Sequence, residues 1–376
     1  MPLTNYAPET RKSKNIVIIC DGTGNKFIDV PRPDGSNSNV VKLCTTLQID
    51  DEQVAYYHPG VGTAGDPFAA REKIKALNPD VLTLDIEMPR MDGLTFLEKL
   101  MHGHPMPVIM ISSLTDKGAE TTLRALSLGA IDFVSKPKVD VSNGTIEQAE
   151  EILAKVKAAA KARVRRARES TTTPVPLTGK GYQFSATHKI VAIGASTGGT
   201  EALKELLMPL PADFPGIVIV QHMPEAFTRQ FAARLDSLCR IRVKEAQDGD
   251  HILPGHALLA PGGHHMAVVR KGTEYTVHVY SGERVNRHMP SVDVLFSSCA
   301  RSMGKNALGV LLTGMGADGA KGMLEMKQAA AFTIAQDEST SVVFGMPREA
   351  ILLNAVDRVL PLDQIPGALL QKLAGT

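Results

Sequence analysis

Residues 308–322, LGVLLTGMGADGAKG, begin with an apolar run and continue into a glycine-rich turn. The apolar run predicts a buried strand, and the residues after the last glycine predict a helix. Gly314, Gly316 and Gly319 also fit the G-x-G-x-x-G pattern of a dinucleotide-binding loop, and Asp337 lies about where such a fold carries its ribose-binding acid. The stretch therefore predicts a strand–helix unit, with either a nicotinamide site or a different role for Asp318.

A carboxylate inside this loop is poorly compatible with a bound pyrophosphate. The start of a helix favours negative charge that comes from the ligand. At 4 Å and an effective dielectric constant near 20, two like charges repel each other by roughly 4 kcal/mol. We therefore expect Asp318 to orient a histidine, and an NAD-dependent oxidoreductase is the less favoured alternative.

Short β-type runs alternate with helical patterns throughout the C-terminal half. The helix TEALKELLMPL, for example, carries its leucines on one face. Strands separated by helices predict an α/β fold with a doubly wound, mainly parallel sheet, whose functional residues lie at the carboxyl ends of the strands. The predicted strands are KIVAIGAS, GIVIVQHM, ALLAPGG, YTVHVYSG, ALGVLLTG and AFTIAQD.

Three of these strands are followed by side chains that suit acyl transfer: Ser196, His222 and Asp318. A histidine can take the proton of a serine hydroxyl while a carboxylate orients and stabilises the imidazolium. Gly194 and Gly198 flank the serine in a G-x-S-x-G pattern, where small neighbours and free helix N–H groups favour a developing oxyanion. Each residue alone is more often structural, but together the three make a serine hydrolase a reasonable hypothesis.

Composition excludes several classes of function. The 376 residues include 41 basic and 40 acidic side chains, and the formal charge of +1 gives no reason to expect nucleic acid as a partner. No apolar run reaches the length of a membrane span, and the N-terminus lacks the apolar core of a signal peptide, so we expect neither membrane insertion nor secretion. The four cysteines are widely separated, which favours reduced thiols and a cytoplasmic location.

A change in composition separates two domains. Residues 145–169 are rich in Ala, Glu and Lys and predict a helix, and residues 170–188 form a linker rich in Thr, Pro and Gly. The basic residues of that helix favour a solvated face over a site for an acidic partner. We therefore predict a regulatory domain over residues 1–144, a helix and linker over 145–187, and a catalytic domain over 188–376.

The N-terminal half has its own set of polar strand ends. Asp85, Ser112 and Lys136 end the predicted strands DVLTLD, VIMISS and AIDFVSKP. A carboxylate can accept a phosphoryl group, and a hydroxyl and a lysine can bind the new phosphate oxygens, with a divalent cation offsetting charge. This pattern predicts a phosphoryl-accepting site.

The C-terminal motifs IVAIGASTGGTEAL, VIVQHMPEAFT, ALLAPGGHHM and VLLTGMGADGAKGM resemble the chemotaxis protein-glutamate methylesterase family, over residues 188–372. The resemblance implies hydrolysis of glutamyl methyl esters on chemoreceptors and deamidation of receptor glutamines, with no cofactor for catalysis. It implies Ser196 as nucleophile, His222 as base and Asp318 as its orienting acid. The backbone amide of Met315 would bind the oxyanion, with the turn at Thr197 nearby.

Residues 67–140 resemble a response-regulator receiver domain, which implies a flavodoxin-like fold. Asp85 would then accept a phosphoryl group from a chemotaxis histidine kinase, and Ser112 and Lys136 would be the switch residues. The resemblance also implies Mg²⁺ near Asp21, Asp85 and Glu87. In such enzymes, phosphorylation of the receiver relieves a block on the catalytic domain.

The first 65 residues are atypical of a receiver. Two adjacent acids normally end the first strand and hold Mg²⁺, whereas this chain has Cys20 and Asp21 there. The segment resembles the start of an uncharacterised α/β-hydrolase family with a D-G-T-G-N opening. NIVIIC and QVAYYH can still form the first two strands, with NVVKLCTTLQI as the helix between them. We predict impaired metal binding, and an enzyme whose altered receiver no longer regulates it is the alternative.

Overall fold

The computed structural model describes residues 15–21, 53–59, 67–87, 92–113, 115–135, 144–162 and 189–374. The chain divides into two compact units, one of residues 1–168 and the other of residues 169–376. The predicted domain limits at residues 144 and 187 stay a prediction. Each unit is built on its own parallel sheet.

The N-terminal unit has a five-stranded sheet in the order β2-β1-β3-β4-β5, in which every pairing is parallel. This is the flavodoxin-like order, so the predicted fold of this unit is confirmed. NIVIIC and QVAYYH form its first two strands as expected, whereas the helix predicted from NVVKLCTTLQI lies outside the described residues. The strands are β1 (Asn15–Asp21), β2 (Gln53–Pro59), β3 (Val81–Asp85), β4 (Val108–Ser112) and β5 (Asp132–Ser135).

Four described helices accompany this sheet: α1 (Pro67–Leu77), α2 (Gly93–Gly103), α3 (Asp116–Ser127) and α4 (Gly144–Ala160). The helix α4, which was predicted together with the linker, packs on the N-terminal sheet. Val156 and Ala159 are buried, and Lys155 Nζ donates to Phe133 O at 2.9 Å and to Asp132 Oδ1 at 3.4 Å. The apolar face of an Ala-rich helix needs a partner, and the strands β3, β4 and β5 provide it.

The C-terminal unit has a seven-stranded sheet in the order β14-β13-β12-β6-β7-β9-β8, and every pairing in it is parallel. The predicted α/β class with a parallel sheet is therefore confirmed. The strands β6, β7 and β12 at its centre are buried along their whole length, as their continuous apolar sequences require. The strands are β6 (Ile190–Ala195), β7 (Ile217–Gln221), β8 (Arg242–Glu245), β9 (His256–Leu259), β12 (Ala307–Leu311), β13 (Phe332–Gln336) and β14 (Arg358–Leu360).

One predicted strand of this unit lies outside the main sheet. YTVHVYSG contributes β11 (Glu274–Tyr280), which pairs antiparallel with β10 (His265–Lys271) in a separate hairpin. Short turns connect antiparallel strands, whereas a parallel partner needs a long crossover, and only two residues separate β10 from β11. The hairpin packs on the following helix, where Ser298 Oγ accepts from Val268 N and Ser302 Oγ donates to Val268 O, both at 2.8 Å.

Six helices of the C-terminal unit complete the described fold: α5 (Gly199–Leu207), α6 (Glu225–Leu238), α7 (Val292–Met303), α8 (Ala320–Gln328), α9 (Met346–Leu352) and α10 (Ile365–Leu373). Leu203, Leu206, Leu207 and Leu210 are fully buried, as the helical periodicity predicts. No helix in the described ranges is both long and apolar enough to cross a bilayer.

The strand β6 and the helix α7 approach closely at Gly194. A Cβ atom at this position would collide with the Val292 side chain at the start of α7. The glycine therefore allows α7 to begin directly against the central strand.

We expect Gly194→Ala to destabilise the protein by about 1–3 kcal/mol, because the added methyl overpacks a closed core. Gly367→Ala is the matched control, since a Cβ there meets no atom within 4 Å and the residue lies inside α10. Differential scanning calorimetry of the full chain measures both. An unchanged or raised melting temperature for Gly194→Ala would contradict this account of the α7 contact.

Candidate active site

Ser196 and His222 lie next to each other at the carboxyl edge of the C-terminal sheet. Ser196 directly follows β6, and His222 directly follows β7. These neighbouring strands are in register at Ala195 and Gln221, and His222 N donates to Ala195 O at 3.1 Å. The two predicted side chains therefore come from equivalent positions on adjacent strands.

The turn that carries Ser196 depends on small residues. Gly198, the N-cap of α5, has φ 77°, a left-handed conformation that favours glycine, and a Cβ there would lie 2.6 Å from Val342 Cβ. On the other side, a Cβ at Gly314 would lie 2.8 Å from Ser196 Cβ. The segment containing Met315 thus passes directly against the serine, and Thr197 is buried in the turn.

His222 and Asp318 form a buried pair. His222 Nε2 lies 2.8 Å from Asp318 Oδ2, and the two side chains are 7% and 1% exposed. Because the carboxylate accepts from Nε2–H, the other ring nitrogen carries the lone pair. His222 Nδ1 is buried and forms no hydrogen bond with the described residues. It is therefore the nitrogen that can receive a proton.

Asp318 lies several residues beyond the end of its strand. The strand β12 ends at Leu311, and Asp318 directly precedes Gly319, the N-cap of α8. The loop brings the carboxylate to the first turn of α7, where the helix dipole favours negative charge. Five donors surround it: His222 Nε2, Asn286 Nδ2, Ser291 Oγ, Val292 N and Asp293 N, at 2.7–3.3 Å.

These donors keep Asp318 ionised. Burial alone would raise the pKa of Asp318, but the hydrogen bond and charge of His222, with hydrogen bonds from Asn286 and Ser291, hold the pKa well below its usual value. The carboxylate can therefore stabilise an imidazolium on His222 without taking its proton.

A second buried carboxylate, which was not predicted from the sequence, lies beside the first. Asp293, in the first turn of α7, is 8% exposed and accepts from Gly322 N at 2.7 Å. Burial, together with the nearby charge of Asp318, raises the pKa of Asp293. Asn286 bonds both carboxylates. Ser291 in front of an apolar run is an N-cap signal that could have located the start of α7.

Two further side chains that the sequence did not indicate hold the serine and the histidine. Gln221 Nε2 donates to Ser196 O at 2.9 Å and to His222 O at 3.2 Å, which links the backbones of the two strand ends. The ring of His288 stacks on that of His222, with centroids 3.7 Å apart and planes 11° from parallel. The stacked ring restricts rotation of His222.

The structure does not support the nicotinamide interpretation of the glycine-rich loop. Asp337 is occupied within its own turn, where it accepts from Thr340 N at 3.0 Å and from Ser339 Oγ at 2.6 Å. At the start of α8, the helix that follows the loop, Gly322 N donates to Asp293 Oδ1 at 2.7 Å and is not left for a phosphate. The glycines serve close packing around Ser196 and Val292.

The polar strand ends predicted in the N-terminal unit also meet at one edge. Asp85 ends β3 and is fully buried, with Oδ1 accepting from Glu87 N at 3.0 Å. Ser112 ends the adjacent strand β4, and its hydroxyl accepts from Thr122 Oγ1 at 2.7 Å. The backbone of Asp21 ends β1, which pairs with β3 up to Cys20 and Leu84.

Glu87 and Lys136 were also predicted for this edge. Glu87 lies near it, and Ser113 Oγ donates to Glu87 Oε1 at 3.4 Å. Lys136 falls outside the described residues, which end at Ser135 in this segment. The described residues contain no group of three or more His, Cys, Asp and Glu side chains arranged to hold a metal.

The low pKa of Asp318 predicts an acid-sensitive fold. A carboxyl group whose pKa is lowered on folding contributes stability above its unfolded pKa, near 3.9, and loses it as pH falls through the folded value. We expect Asp318→Asn to lower the free energy of unfolding at neutral pH and to flatten its decline below about pH 4.

Asp293→Asn is the matched control for this prediction. Because its pKa is raised, Asp293 takes up a proton on folding as pH falls, which offsets acid unfolding, so its removal should steepen the decline. Urea unfolding between about pH 3 and pH 7 measures both slopes. Equal slopes in the two variants and the wild type would contradict the assigned charge states.

Comparison with known proteins identifies both units. Residues 191–369 match the CheB methylesterase family, and residues 47–143 match the response regulator receiver domain. The receiver match begins at residue 47 and therefore includes residues 47–65 of the atypical segment. The resemblance of the N-terminal segment to a hydrolase family stays a prediction.

Relatives share most of the chain. The protein-glutamate methylesterase/protein-glutamine glutaminase 1 of Geobacter metallireducens is 60% identical over 81% of this chain and 86% of its own length. A protein of the same type from Bordetella parapertussis is 58% identical over 89% of this chain and 98% of its own length. The crystal structure of the Thermotoga maritima CheB methylesterase catalytic domain is 40% identical, covers 49% of this chain and 98% of that chain, and has a TM-score of 0.48. The chain belongs to the CheB methylesterase family, with a response regulator receiver domain in its N-terminal unit.

Proposed function

We propose that this chain hydrolyses the methyl esters of glutamyl side chains on chemoreceptors, and deamidates receptor glutamines, with Ser196, His222 and Asp318 as its catalytic triad. The observation that supports it most is the 2.8 Å contact between His222 Nε2 and Asp318 Oδ2, beside the turn that carries Ser196. Because the polar atoms of this pair are buried, water competes little with the proton transfers that the reaction needs. We place the enzyme in the cytoplasm, where reduced thiols and a kinase partner are expected.

The reaction proceeds through a covalent intermediate. Ser196 Oγ attacks the ester carbonyl while its proton passes to His222 Nδ1, and Asp318 stabilises the imidazolium through Nε2. The tetrahedral intermediate collapses, the C–O bond to methanol breaks, and His222 returns the proton to the leaving methoxide oxygen. Water then hydrolyses the glutamyl-serine ester by the same steps, and ammonia replaces methanol when the substrate is glutamine.

Backbone amides would stabilise the oxyanion. Met315 lies on the segment that touches Ser196, and Thr197 begins the turn into α5, whose first N–H groups point toward the same edge. An amide placed in advance against a developing oxyanion stabilises the transition state more than the ester ground state. We assign this role chiefly to Met315 N, with the turn at Thr197 nearby.

The N-terminal edge would accept the phosphoryl group of a chemotaxis histidine kinase on Asp85. Asp85 and the backbone of Asp21 end neighbouring strands at the same edge, and Glu87 N donates to Asp85 Oδ1. We assign the Mg²⁺ ligands to these three residues, because carboxylate oxygens are ligands that Mg²⁺ prefers. The cation would offset the charge of the carboxylates during phosphorylation. Ser112 and Lys136 would bind the phosphate and transmit its presence, and Cys20, in place of a second acid, would weaken the cation site.

Ser196→Ala should abolish the reaction. Removal of the nucleophile is expected to lower the rate of methanol release from methylated receptors by at least about 10⁴-fold, as in other serine hydrolases. Ser237→Ala is the control, because this exposed serine on α6 lies away from the carboxyl edge of the sheet. Methanol release by the full chain is the measurement, and appreciable activity in Ser196→Ala would refute the triad.

Asp85→Asn should uncouple the enzyme from phosphorylation. Acetyl phosphate with Mg²⁺ is expected to increase methanol release by the wild type and to leave Asp85→Asn unaffected, because an amide cannot accept the phosphoryl group. Omission of Mg²⁺ from the wild-type assay is the control. Stimulation of Asp85→Asn would assign phosphorylation elsewhere, and a Mg²⁺ affinity typical of receivers would refute the predicted impairment at Cys20 and Asp21.

A further inference from the structure

Asn286 joins two buried carboxylates although the residue itself is exposed. It lies in the segment 281–288, between the β10–β11 hairpin and α7. Its Nδ2 donates to Asp293 Oδ2 at 2.7 Å and to Asp318 Oδ1 at 2.8 Å. A side-chain amide has two N–H protons, so each carboxylate receives one of them.

The two carboxylates would otherwise face each other in a poorly solvated position. Asp318 and Asp293 are 1% and 8% exposed, and both are packed at the first turn of α7. Like charges at such a site raise each other's pKa and favour protonation of one of them. A donor between them offsets the repulsion while leaving the charge of Asp318 in place.

The backbone of Asn286 is set for this contact. Its φ is 51° and that of Arg287 is 70°, so the chain turns through two left-handed residues there. Asparagine tolerates this conformation better than most residues. A pair of hydrogen bonds between Val285 and His288 closes the turn, which aims the amide inward while the residue remains exposed.

We propose that Asn286 is a positioning residue of the esterase, which holds Asp318 ionised and directed at His222 Nε2. The proposal rests on the triad assigned above. Asn286 acts through Asp318 and touches neither the serine nor the base. Its removal should therefore weaken the transition state and alter the pH dependence of the rate, with little effect on KM.

The expected pH effect follows from the charges around the site. Without Asn286, the negative charge of the His222–Asp318 pair is less stabilised, so the pair binds a proton at higher pH. The acidic limb of the rate profile should then move to higher pH. The titratable or charged groups that face or adjoin this network are His222 after β7, His265 on β10, Arg287 and His288 in the segment 281–288, Asp293 on α7, and Asp318 before α8.

Asn286→Gly tests the proposal, because glycine accepts the left-handed backbone and removes only the amide. We expect kcat for methanol release to fall roughly 10-fold and the acidic limb of kcat to rise by about 0.5–1 pH unit, as for the loss of a hydrogen bond to a charged group. Asn354→Gly is the matched control, since Asn354 has φ 55° at the end of α9, remote from the triad. The control should keep the wild-type profile.

Asn286→Asp tests whether Asn286 acts through the hydrogen bonds of its amide or only by filling space between the two carboxylates. Aspartate has nearly the same shape but places a third carboxylate between the other two, so we expect a larger loss of kcat than in Asn286→Gly. A milder loss in Asn286→Asp, or an unshifted acidic limb in Asn286→Gly, would overturn the proposal. A rise in KM alone would assign Asn286 to substrate contact and would overturn it too. Activity of Ser196→Ala would refute the triad itself, whereas an inactive Ser196→Ala with an unshifted Asn286→Gly refutes only the positioning role.

Discussion

The geometry of this esterase depends on one buried negative charge. An ionised carboxylate at 1% exposure costs several kcal/mol unless donors replace its water. Asp318 obtains these donors from three separate parts of the chain: β7 through His222, the exposed segment through Asn286, and the start of α7 through Ser291 and two backbone amides. The carboxylate of Asp318 therefore connects the elements that surround the catalytic edge. Its hydrogen bonds form only when those elements are correctly packed.

The order of the strands explains which nitrogen of His222 faces the acid. In the sheet, β6 lies between β12 and β7, so the strand of the serine separates the strand of the acid from that of the base. The loop after β12 must cross this gap, and it meets the histidine at Nε2, the ring nitrogen farther from the backbone. Nδ1 is then left for the serine. The more familiar arrangement, in which the acid binds Nδ1, would suit a carboxylate placed nearer the backbone of the histidine.

Much of this architecture could be predicted because parallel strands place their carboxyl ends along one edge. Ser196, His222, Asp85 and Ser112 all follow or end buried strands, and the structure places them there. Periodicity could not reveal that Asp318 would be bound by groups far away in the sequence. Asn286 and Ser291 lie in an irregular segment with no repeating pattern, and their partners are set by the tertiary fold. YTVHVYSG was correctly predicted as a strand, but its pattern alone did not reveal that it pairs antiparallel with the adjacent β10, outside the main sheet.

A neutral amide between Asp293 and Asp318 suits this chemistry better than a cation would. A lysine or arginine at this position would reduce the repulsion between the two carboxylates more strongly than an amide does. Its positive charge would, however, destabilise the imidazolium that forms on His222. The amide donates one proton to each carboxylate and adds no charge, so Asp318 keeps its full negative charge for the transition state. Burial and the charge of Asp318 raise the pKa of Asp293, so Asp318 is the more strongly ionised of the two carboxylates. The amide and the other donors thus keep the negative charge of Asp318 beside His222, where it can stabilise an imidazolium.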